Sequence, residues 1–242
     1  MPADMRFERL ERMLGSDALS TLANTHMLVI GVGGVGSNCV VALARGGVGS
    51  FTIIDYDTVD VSNINRQALA FESTVGRIKT DVMREIILDI NPNAKVECIN
   101  IRILPDNVGE YLTQNFDYCI DAQDTISTKL SLAAFCEERG IPFLSSMGAA
   151  NKHDPTQLEF ADIYDTRVCP MCRAVRKQAR ARGIAHMPVL YTPEQPAEVA
   201  AAEGAQRSDR TELGTMSYMP PIMGQMLAAR AICDVLDIEW QR

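Results

Sequence analysis

Short apolar runs alternate with amphipathic segments along most of the chain. Runs typical of buried strands occupy residues 27–30, 51–54, 118–121 and 142–145, and residues 95–101 alternate as a strand does. Apolar residues at helical spacing follow these runs, over 37–45, 80–90, 106–112 and 125–139. Strands that alternate with helices predict the α/β class, with a doubly wound and mostly parallel sheet.

The two ends of the chain depart from this alternation. The spacing over residues 5–24 predicts one or two amphipathic helices. Past residue 148 the pattern predicts an antiparallel strand at 158–162, a basic helix at 171–182, a short strand at 189–191 and an apolar helix at 222–236. Residues 193–212, rich in Pro, Glu, Ala, Ser and Asp, are expected to form a mobile surface loop. We therefore expect an N-terminal helical segment and a C-terminal antiparallel and helical extension.

Composition and net charge are typical of a globular protein without non-specific affinity for polyanions. Hydrophobic residues make up 47% of the 242 positions and charged residues 22%, which is enough for one α/β domain with its own core. The formal net charge of −8 argues against non-specific binding to nucleic acid, although it leaves room for a local basic patch.

The sequence also indicates a compartment. The first 15 residues are polar and amphipathic, so we expect no export signal. Pro220, Pro221 and Arg230 interrupt the apolar segment 216–236, so no membrane span is expected. Seven cysteines, an odd number at mostly apolar positions, indicate reduced thiols rather than a disulfide frame. We expect a cytoplasmic protein without membrane contact.

A glycine-rich turn, GVGGVGS at 31–37, connects the first strand to the first helix of the alternating region. Glycine permits a tight turn and lets backbone N–H groups approach a phosphate at the positive end of a helix. Packing alone also places glycines at such turns, so the motif is weak by itself. A second strand that ends in an acid about 20 residues further on favours nucleotide binding, and Asp55 meets that condition as a ligand for ribose hydroxyls. This is a Rossmann-like arrangement.

Four segments together resemble the ubiquitin-activating-enzyme superfamily, which includes bacterial adenylyltransferases for sulfur-carrier proteins. They are GVGGVGS at 31–37, DYDTVDVSNINRQ at 55–67, VGRIK at 75–79 and DAQDTISTK at 121–129. The resemblance implies activation of a carboxylate by attack on the α-phosphate of ATP, with release of pyrophosphate. Dehydrogenases have a related glycine turn, but they lack the SNxNRQ loop, and nothing in this chain supplies a hydride-transfer site.

That chemistry brings an anionic carboxylate to a polyanion, so it needs cations and a metal ligand. The resemblance implies that Arg66 and Lys79 neutralise phosphates and that Asp124 holds Mg²⁺. The segment RFER at 6–9 resembles an element whose arginine reaches the partner subunit's site, which implies that role for Arg9 and a homodimer. The implied nucleotide-binding set is Gly31, Gly33, Gly34, Gly36, Asp55, Asp57, Asn63, Asn65, Arg66, Gln67 and Lys79.

A narrower resemblance, to the tRNA threonylcarbamoyladenosine dehydratase branch, covers most of the chain. Its segments are RFERLERMLG at 6–15, DINPNAKVE at 89–97, MGAANKHDPTQLEFADIYDTRVCP at 147–170 and GTMSYMPPIMG at 214–224. This branch adenylates the threonyl carboxylate of a modified adenosine beside the anticodon, and an internal attack then expels AMP and closes a ring. The implied cosubstrate, metal and partner are ATP, Mg²⁺ and tRNA, and a sulfur-transfer protein is a further candidate partner.

Two local features bear on the branch. Five basic residues on the helix at 171–182 suit RNA phosphates, although a solvated basic helix remains the alternative: Arg173, Arg176, Lys177, Arg180 and Arg182. Sulfur-carrier enzymes hold zinc with two Cys-x-x-Cys pairs, whereas this chain has one, Cys169 and Cys172, so zinc is not expected. Cys172 departs from the dehydratase pattern and leaves open a redox-active or metal-binding pair.

The sequence thus predicts one adenylating domain over 1–242. It comprises N-terminal helices at 5–24, a nucleotide-binding core at 27–148 and a substrate and dimer region at 149–242. Two alternatives remain, an adenylyltransferase for the C-terminal glycine of a sulfur-carrier protein and a catalytically silent nucleotide-binding scaffold. Intact Arg66, Lys79 and Asp124 weigh against the scaffold.

Overall fold

The computed structural model describes residues 5–198 and 213–240 and confirms the predicted α/β class. The strands are β1 (His26–Ile30), β2 (Ser50–Ile54), β3 (Lys95–Ile99), β4 (Tyr118–Asp121), β5 (Phe143–Ser146), β6 (Glu159–Asp162) and β7 (Pro188–Tyr191). They form one seven-stranded sheet in the order β3-β2-β1-β4-β5-β7-β6. All neighbours are parallel except β6 and β7, which confirms the antiparallel extension.

Eight α-helices connect and flank these strands in the described residues. They are α1 (Glu8–Leu14), α2 (Ser16–Asn24), α3 (Gly34–Arg45), α4 (Lys79–Ile90), α5 (Val108–Tyr111), α6 (Ile126–Arg139), α7 (Pro170–Ala181) and α8 (Met219–Val235). Helices α3 and α8 begin three residues earlier than predicted. In α8 this places Pro220 and Pro221 within the first turn, where a missing N–H costs no helical hydrogen bond.

The strand order creates a crevice at the carboxyl end of β1. From β1 the chain continues to β2 and β3 on one side of β1, and then crosses to β4 on the other side. The segments that follow β1 and β4 therefore lead away from each other at the carboxyl ends of these two strands. Ligands of doubly wound sheets bind in that crevice. The backbone there is held firmly because β4 is buried throughout and β1 in all but its first residue.

The N-terminal helices lie at the amino-terminal ends of the strands, opposite the crevice. Gly15, with φ 86°, separates α1 from α2, so the segment forms two helices. Phe7 packs near Gly47 in the turn that precedes β2, which is the amino-terminal end of the strands. Within the described residues no helix is long and apolar enough to cross a membrane. The predicted loop 193–212 lies outside the described residues from residue 199 onward, and residues 193–198 contain neither helix nor strand.

Candidate nucleotide-binding site

A cleft of about 340 Å³ opens at the carboxyl ends of β1, β2 and β4. Eight of its lining residues were predicted from the sequence: Gly31, Gly33, Gly34, Asp55, Asp57, Arg66, Gln67 and Lys79. Asp124 lines it as well, at the end of β4. The structure therefore brings together the glycine turn, the acidic strand end, the polar loop and the predicted metal ligand, which are separated by up to about ninety residues of sequence.

Two glycines close the turn by backbone contacts that no other residue allows. Gly31 has φ 86°, and a Cβ there would lie 3.0 Å from the carbonyl oxygen of Ala122. A Cβ at Gly36 would overlap the carbonyl oxygen of Gly31. Gly36 does not line the cleft; it lets the first turn of α3 lie directly against the end of β1. The positive end of α3 thereby faces the cleft.

Gly36→Ala is expected to destabilise the fold by about 3 kcal/mol, because the added methyl group has to displace backbone rather than a side chain. A lower Tm in thermal unfolding and loss of ATP binding would report this. Gly109→Ala is the matched control, since nothing lies within 4 Å of a Cβ at that position. Equal Tm values for the two variants would contradict the close approach of Gly36 to Gly31.

The acid at the end of β2 organises the turn as well as facing the cleft. One oxygen of the Asp55 carboxylate accepts from the Val32 N–H at 2.8 Å and the other from the Asp57 N–H at 2.9 Å. Each carboxylate oxygen can accept more than one hydrogen bond, so ribose hydroxyls remain compatible with this arrangement. Lys79 begins α4, and its buried ammonium pairs with the half-exposed carboxylate of Asp57 at 2.9 Å.

The polar loop contributes two of its four predicted residues directly to the cleft. Arg66 passes beside Gly34, where a Cβ would lie 3.2 Å from its Cγ, and its guanidinium donates to Ser62 O and Asn65 Oδ1. Gln67 is 7% exposed, and its Oε1 accepts no hydrogen bond from any described residue. A buried, unsatisfied carbonyl beside a cleft is a position for a ligand donor.

Asn63 and Asn65 do not line the cleft. Asn63 is buried and accepts from the Asp60 N–H, while Asp60 accepts from the Ser62 N–H, so this pair closes the 3₁₀ turn at Val61–Asn63. Asn65 donates to Thr215 O and orients Arg66. Their geometry supports positioning of the loop, and direct nucleotide contact by either side chain stays a prediction.

A buried ion pair fixes the wall that carries Asp124. Lys129 and Asp121 are completely buried, and their charged atoms lie 2.9 Å apart. Lys129 also donates to Ser146 O at 2.8 Å, and the Ser145 hydroxyl donates to Asp121 at 2.6 Å. These bonds join β4, β5 and α6. The pair holds the segment from which Asp124 and Thr125 face the cleft.

Several cleft residues were missed by sequence reasoning. Arg102 follows β3 and lies over the ring of Tyr56, with its guanidinium carbon 5.3 Å from the ring centre, and both residues line the cleft. Gln123 lines it too, and its Nε2 is buried without a partner among the described residues. The available signal was position, since each follows the carboxyl end of a strand, as Asp55 and Asp124 do.

The helix α7 ends at Ala181, one residue before the predicted end, and α7 together with Arg182 exposes four of the five predicted cations. Arg173, Lys177, Arg180 and Arg182 are exposed. The half-buried Arg176 instead donates to the carbonyl and hydroxyl oxygens of Thr166 at 2.7 and 2.6 Å. Its guanidinium therefore anchors the preceding loop and is not part of the exposed face.

Arg9 is exposed on α1 and does not line the cleft of its own chain. A role in a neighbouring subunit's site stays a prediction. Among residues 5–198 and 213–240, no cluster of three or more His, Cys, Asp or Glu side chains could hold a metal ion by itself. Mg²⁺ at nucleotides is held through one or two carboxylates plus phosphate oxygens. Asp124 lines the cleft, and its role as a metal ligand stays a prediction.

Fold and cleft define a class of protein, an α/β protein of the nucleotide-binding type in which the amino-terminal end of α3 faces a cleft lined by three cations and three carboxylates. Comparison with known sequences narrows this class. A sequence model described as the ThiF family matches residues 7–239, and the chain belongs to that family.

Relatives and solved structures agree. The chain is 38% identical to the tRNA threonylcarbamoyladenosine dehydratase of Bacillus subtilis (strain 168), over 98% of this chain and 97% of that one. It is 43% identical to the Haemophilus influenzae enzyme of the same name, over 73% of this chain and 68% of that one. Escherichia coli TcdA, a tRNA N6-threonylcarbamoyladenosine dehydratase solved with ATP and with AMP, superposes with a TM-score of 0.86 at 31% identity, covering 96% and 94% of the two chains. The predicted resemblance is confirmed.

Proposed function

We propose that this chain is an ATP-dependent dehydratase of threonylcarbamoyladenosine in tRNA. The observation that carries the proposal is the convergence of Arg66, Lys79 and Asp124 on the glycine turn, in a chain similar over nearly its full length to such an enzyme. The cleft fits ATP because Gln67 offers an unsatisfied buried acceptor and Gly33, just before α3, places no side chain in front of the helix end. The reaction is two successive displacements.

In the first displacement, an oxygen of the threonyl carboxylate attacks the α-phosphorus of ATP and pyrophosphate leaves. Lys79 and Arg66 lower the repulsion between the incoming carboxylate and the phosphates. In the second, an atom of the same threonylcarbamoyl group attacks the activated carbonyl, AMP leaves, one urea nitrogen loses its proton and the ring closes. When bound to Asp124, Mg²⁺ supplies charge neutralisation at the phosphates.

The direct test uses purified protein, ATP, Mg²⁺ and tRNA that carries the open threonylcarbamoyl modification. We expect AMP and pyrophosphate, and a modified nucleoside lighter by one water in mass spectrometry after digestion. An unchanged nucleoside together with ATP-dependent activation of a sulfur-carrier protein would overturn the proposal in favour of the adenylyltransferase. No turnover on either substrate would favour the silent scaffold. The presence of Arg66 and Lys79 in the cleft is evidence against that alternative.

We further propose that α7 binds tRNA phosphates. Replacing exposed Arg173 and Lys177 by glutamate is expected to weaken tRNA binding by about tenfold or more and to reduce the salt dependence of log Kd by about 2, since each phosphate contact contributes about 1. The control is Arg84→Glu with Lys95→Glu, two exposed cations on α4 and β3. Equal affinities and salt slopes for both double variants would identify α7 as a solvated surface.

The proposed enzyme is a cytoplasmic homodimer in which Arg9 completes the partner subunit's site. Arg9→Ala and Lys79→Met should each be inactive, and mixed dimers should regain activity, because one of their two sites is intact. Random mixing predicts roughly a quarter of the wild-type rate, half of the dimers being mixed and each having one working site. Absence of any recovery after subunit exchange, with mixed dimers shown by native mass spectrometry, would place Arg9 outside the partner's site.

A further inference from the structure

Two cysteines lie at the amino-terminal end of α7. This helix end is near the carboxyl end of β5, and the cleft lies at the carboxyl ends of β1, β2 and β4. Cys169 precedes the first residue of α7 and Cys172 lies within its first turn. Cys169 is 5% exposed and Cys172 is completely buried. Met171, between them, packs near Gly148, which follows β5. None of the proposed steps of carboxylate activation uses these thiols.

The surroundings of Cys169 favour a thiolate. Its sulfur accepts from the Cys172 thiol and from the backbone N–H groups of Cys172 and Met171, and the cation of Lys152 lies near it. These contacts, the Cys172 hydrogen bond first, lower the pKa of Cys169 to about 6 against the opposing effect of burial. A group with a pKa below 7 is mostly thiolate at pH 7, whereas an ordinary cysteine is only a few per cent thiolate.

Lys152 supplies an independent observation. The residue is 2% exposed, and its Nζ has no hydrogen-bond partner among the described residues. A buried cation without a partner is costly unless an anion compensates it. The Cys169 thiolate provides that charge.

The backbone before the pair is held in an unusual conformation. Val168 has φ 62°, which is rare for a β-branched residue and is sustained only when the surroundings impose it. The Cys169 N–H donates to Arg167 O across this bend. The bend directs the chain so that Cys169 meets the start of α7.

We propose that Cys169 and Cys172 form a redox-active dithiol that a small-molecule disulfide, such as oxidised glutathione, converts into an intramolecular disulfide. Cys169 is the attacking thiolate because it is the more exposed and the electropositive neighbours face it. Cys172 is the resolving thiol. Its hydrogen bond to Cys169 raises its own pKa, so it stays protonated until the second step.

The exchange balances without any other reactant. The Cys169 thiolate attacks one sulfur of the oxidant, the oxidant's S–S bond breaks, and one glutathione thiolate leaves. Cys172 then loses its proton to that thiolate, its sulfur attacks Cys169, and the second glutathione thiolate leaves. Two cysteine thiols are oxidised to one disulfide, and one glutathione disulfide is reduced to two glutathione molecules.

The chain contains its own control. Cys119 on β4 and Cys136 on α6 also lie in hydrogen-bond contact, but both are completely buried. Contact with Cys136, followed by burial, raises the pKa of Cys119. If proximity alone decided oxidation, both pairs would react, whereas the proposal predicts reaction at Cys169 and Cys172 only.

The experiment exposes reduced, folded protein to oxidised glutathione, blocks remaining thiols by alkylation and digests with trypsin. Cleavage after Arg167 and Arg173 yields one peptide, 168–173, that contains both cysteines. We expect this peptide lighter by two hydrogen atoms and unalkylated, formed about tenfold or more faster than any loss of alkylation at Cys119 and Cys136. Full alkylation of peptide 168–173, or oxidation of both pairs at one rate, would overturn the proposal.

Two variants separate the roles of the thiols. Cys172→Ala should accumulate a mixed glutathione disulfide at Cys169, because nothing resolves it. Cys169→Ser should leave Cys172 alkylatable after the same exposure. The reverse pattern would refute the assignment, and wild-type protein remains decisive if either variant fails to fold.

Discussion

Replacing Lys79 by methionine should lower kcat/KM for tRNA dehydration by about 10²- to 10³-fold, the loss typical of one removed charge-stabilising group. The Lys79 ammonium is buried at the start of α4, where it pairs with the carboxylate of Asp57. Methionine keeps the length of the apolar stem but cannot neutralise phosphate. Single-turnover formation of AMP is the appropriate measurement, because it separates the chemical step from tRNA release.

Arg84→Met is the control for that variant. Arg84 is exposed on the same helix and does not line the cleft. Its replacement therefore removes one positive charge from α4 and leaves the cleft unchanged. We expect its AMP formation to equal that of wild type. Similar losses in both variants would show that the net charge of α4 matters and that Lys79 has no specific contact with the phosphates.

Asp124→Asn should reduce the same rate by about 10²-fold or more, since a metal contributes several kcal/mol of charge stabilisation at phosphates. Asparagine keeps the shape and an acceptor oxygen but loses the charge that Mg²⁺ prefers. The distinguishing measurement is the Mg²⁺ concentration needed for half-maximal rate. It should rise at least about tenfold in the variant.

Asp106→Asn serves as the control, because Asp106 is exposed in the segment after β3 and does not line the cleft. Its Mg²⁺ dependence should match that of wild type. A slow Asp124→Asn enzyme with an unchanged Mg²⁺ requirement would rule out metal binding by Asp124 and leave it a role in orienting the substrate.

The fold was predictable where local pattern and burial agree. The runs at 27–30 and 118–121 are apolar because β1 and β4 are covered on both faces, so period and composition identified them. Helix ends were less predictable. Gly34 and Gly36 have low helix propensity, yet they lie inside α3, because Gly36 packs directly on the backbone of Gly31 and Gly34 packs against Pro220 and Arg66.

The site was predictable where one residue type suits one position. Gly31 and Asp55 directly follow β1 and β2 and line the cleft as predicted, and Lys79 lines it from the start of α4, while its contact with phosphates stays a prediction. The division of labour in the polar loop was not predictable, because Asn63 and Asn65 satisfy backbone and Arg66 rather than the cleft. Local sequence does not reveal which of several amides faces inward.

Charged partners that are distant in sequence could not be predicted from the sequence either. Lys129 is recognisable as part of a motif, but its complete burial against Asp121 and Ser146 depends on how β4, β5 and α6 pack. The Cys169 pair was visible as a spacing alone. Lys152, which gives the pair its charge environment, lies in a separate segment.

The transfer of one carboxylate oxygen to AMP tests the central claim most directly. tRNA whose threonyl carboxylate carries ¹⁸O is incubated with the protein, ATP and Mg²⁺, and AMP and nucleosides are examined by mass spectrometry. Carboxylate attack on the α-phosphorus predicts AMP with one heavy oxygen and a cyclised nucleoside that has lost one. Unlabelled AMP, or label in inorganic phosphate with ADP as the nucleotide product, would contradict activation by adenylation in this cleft.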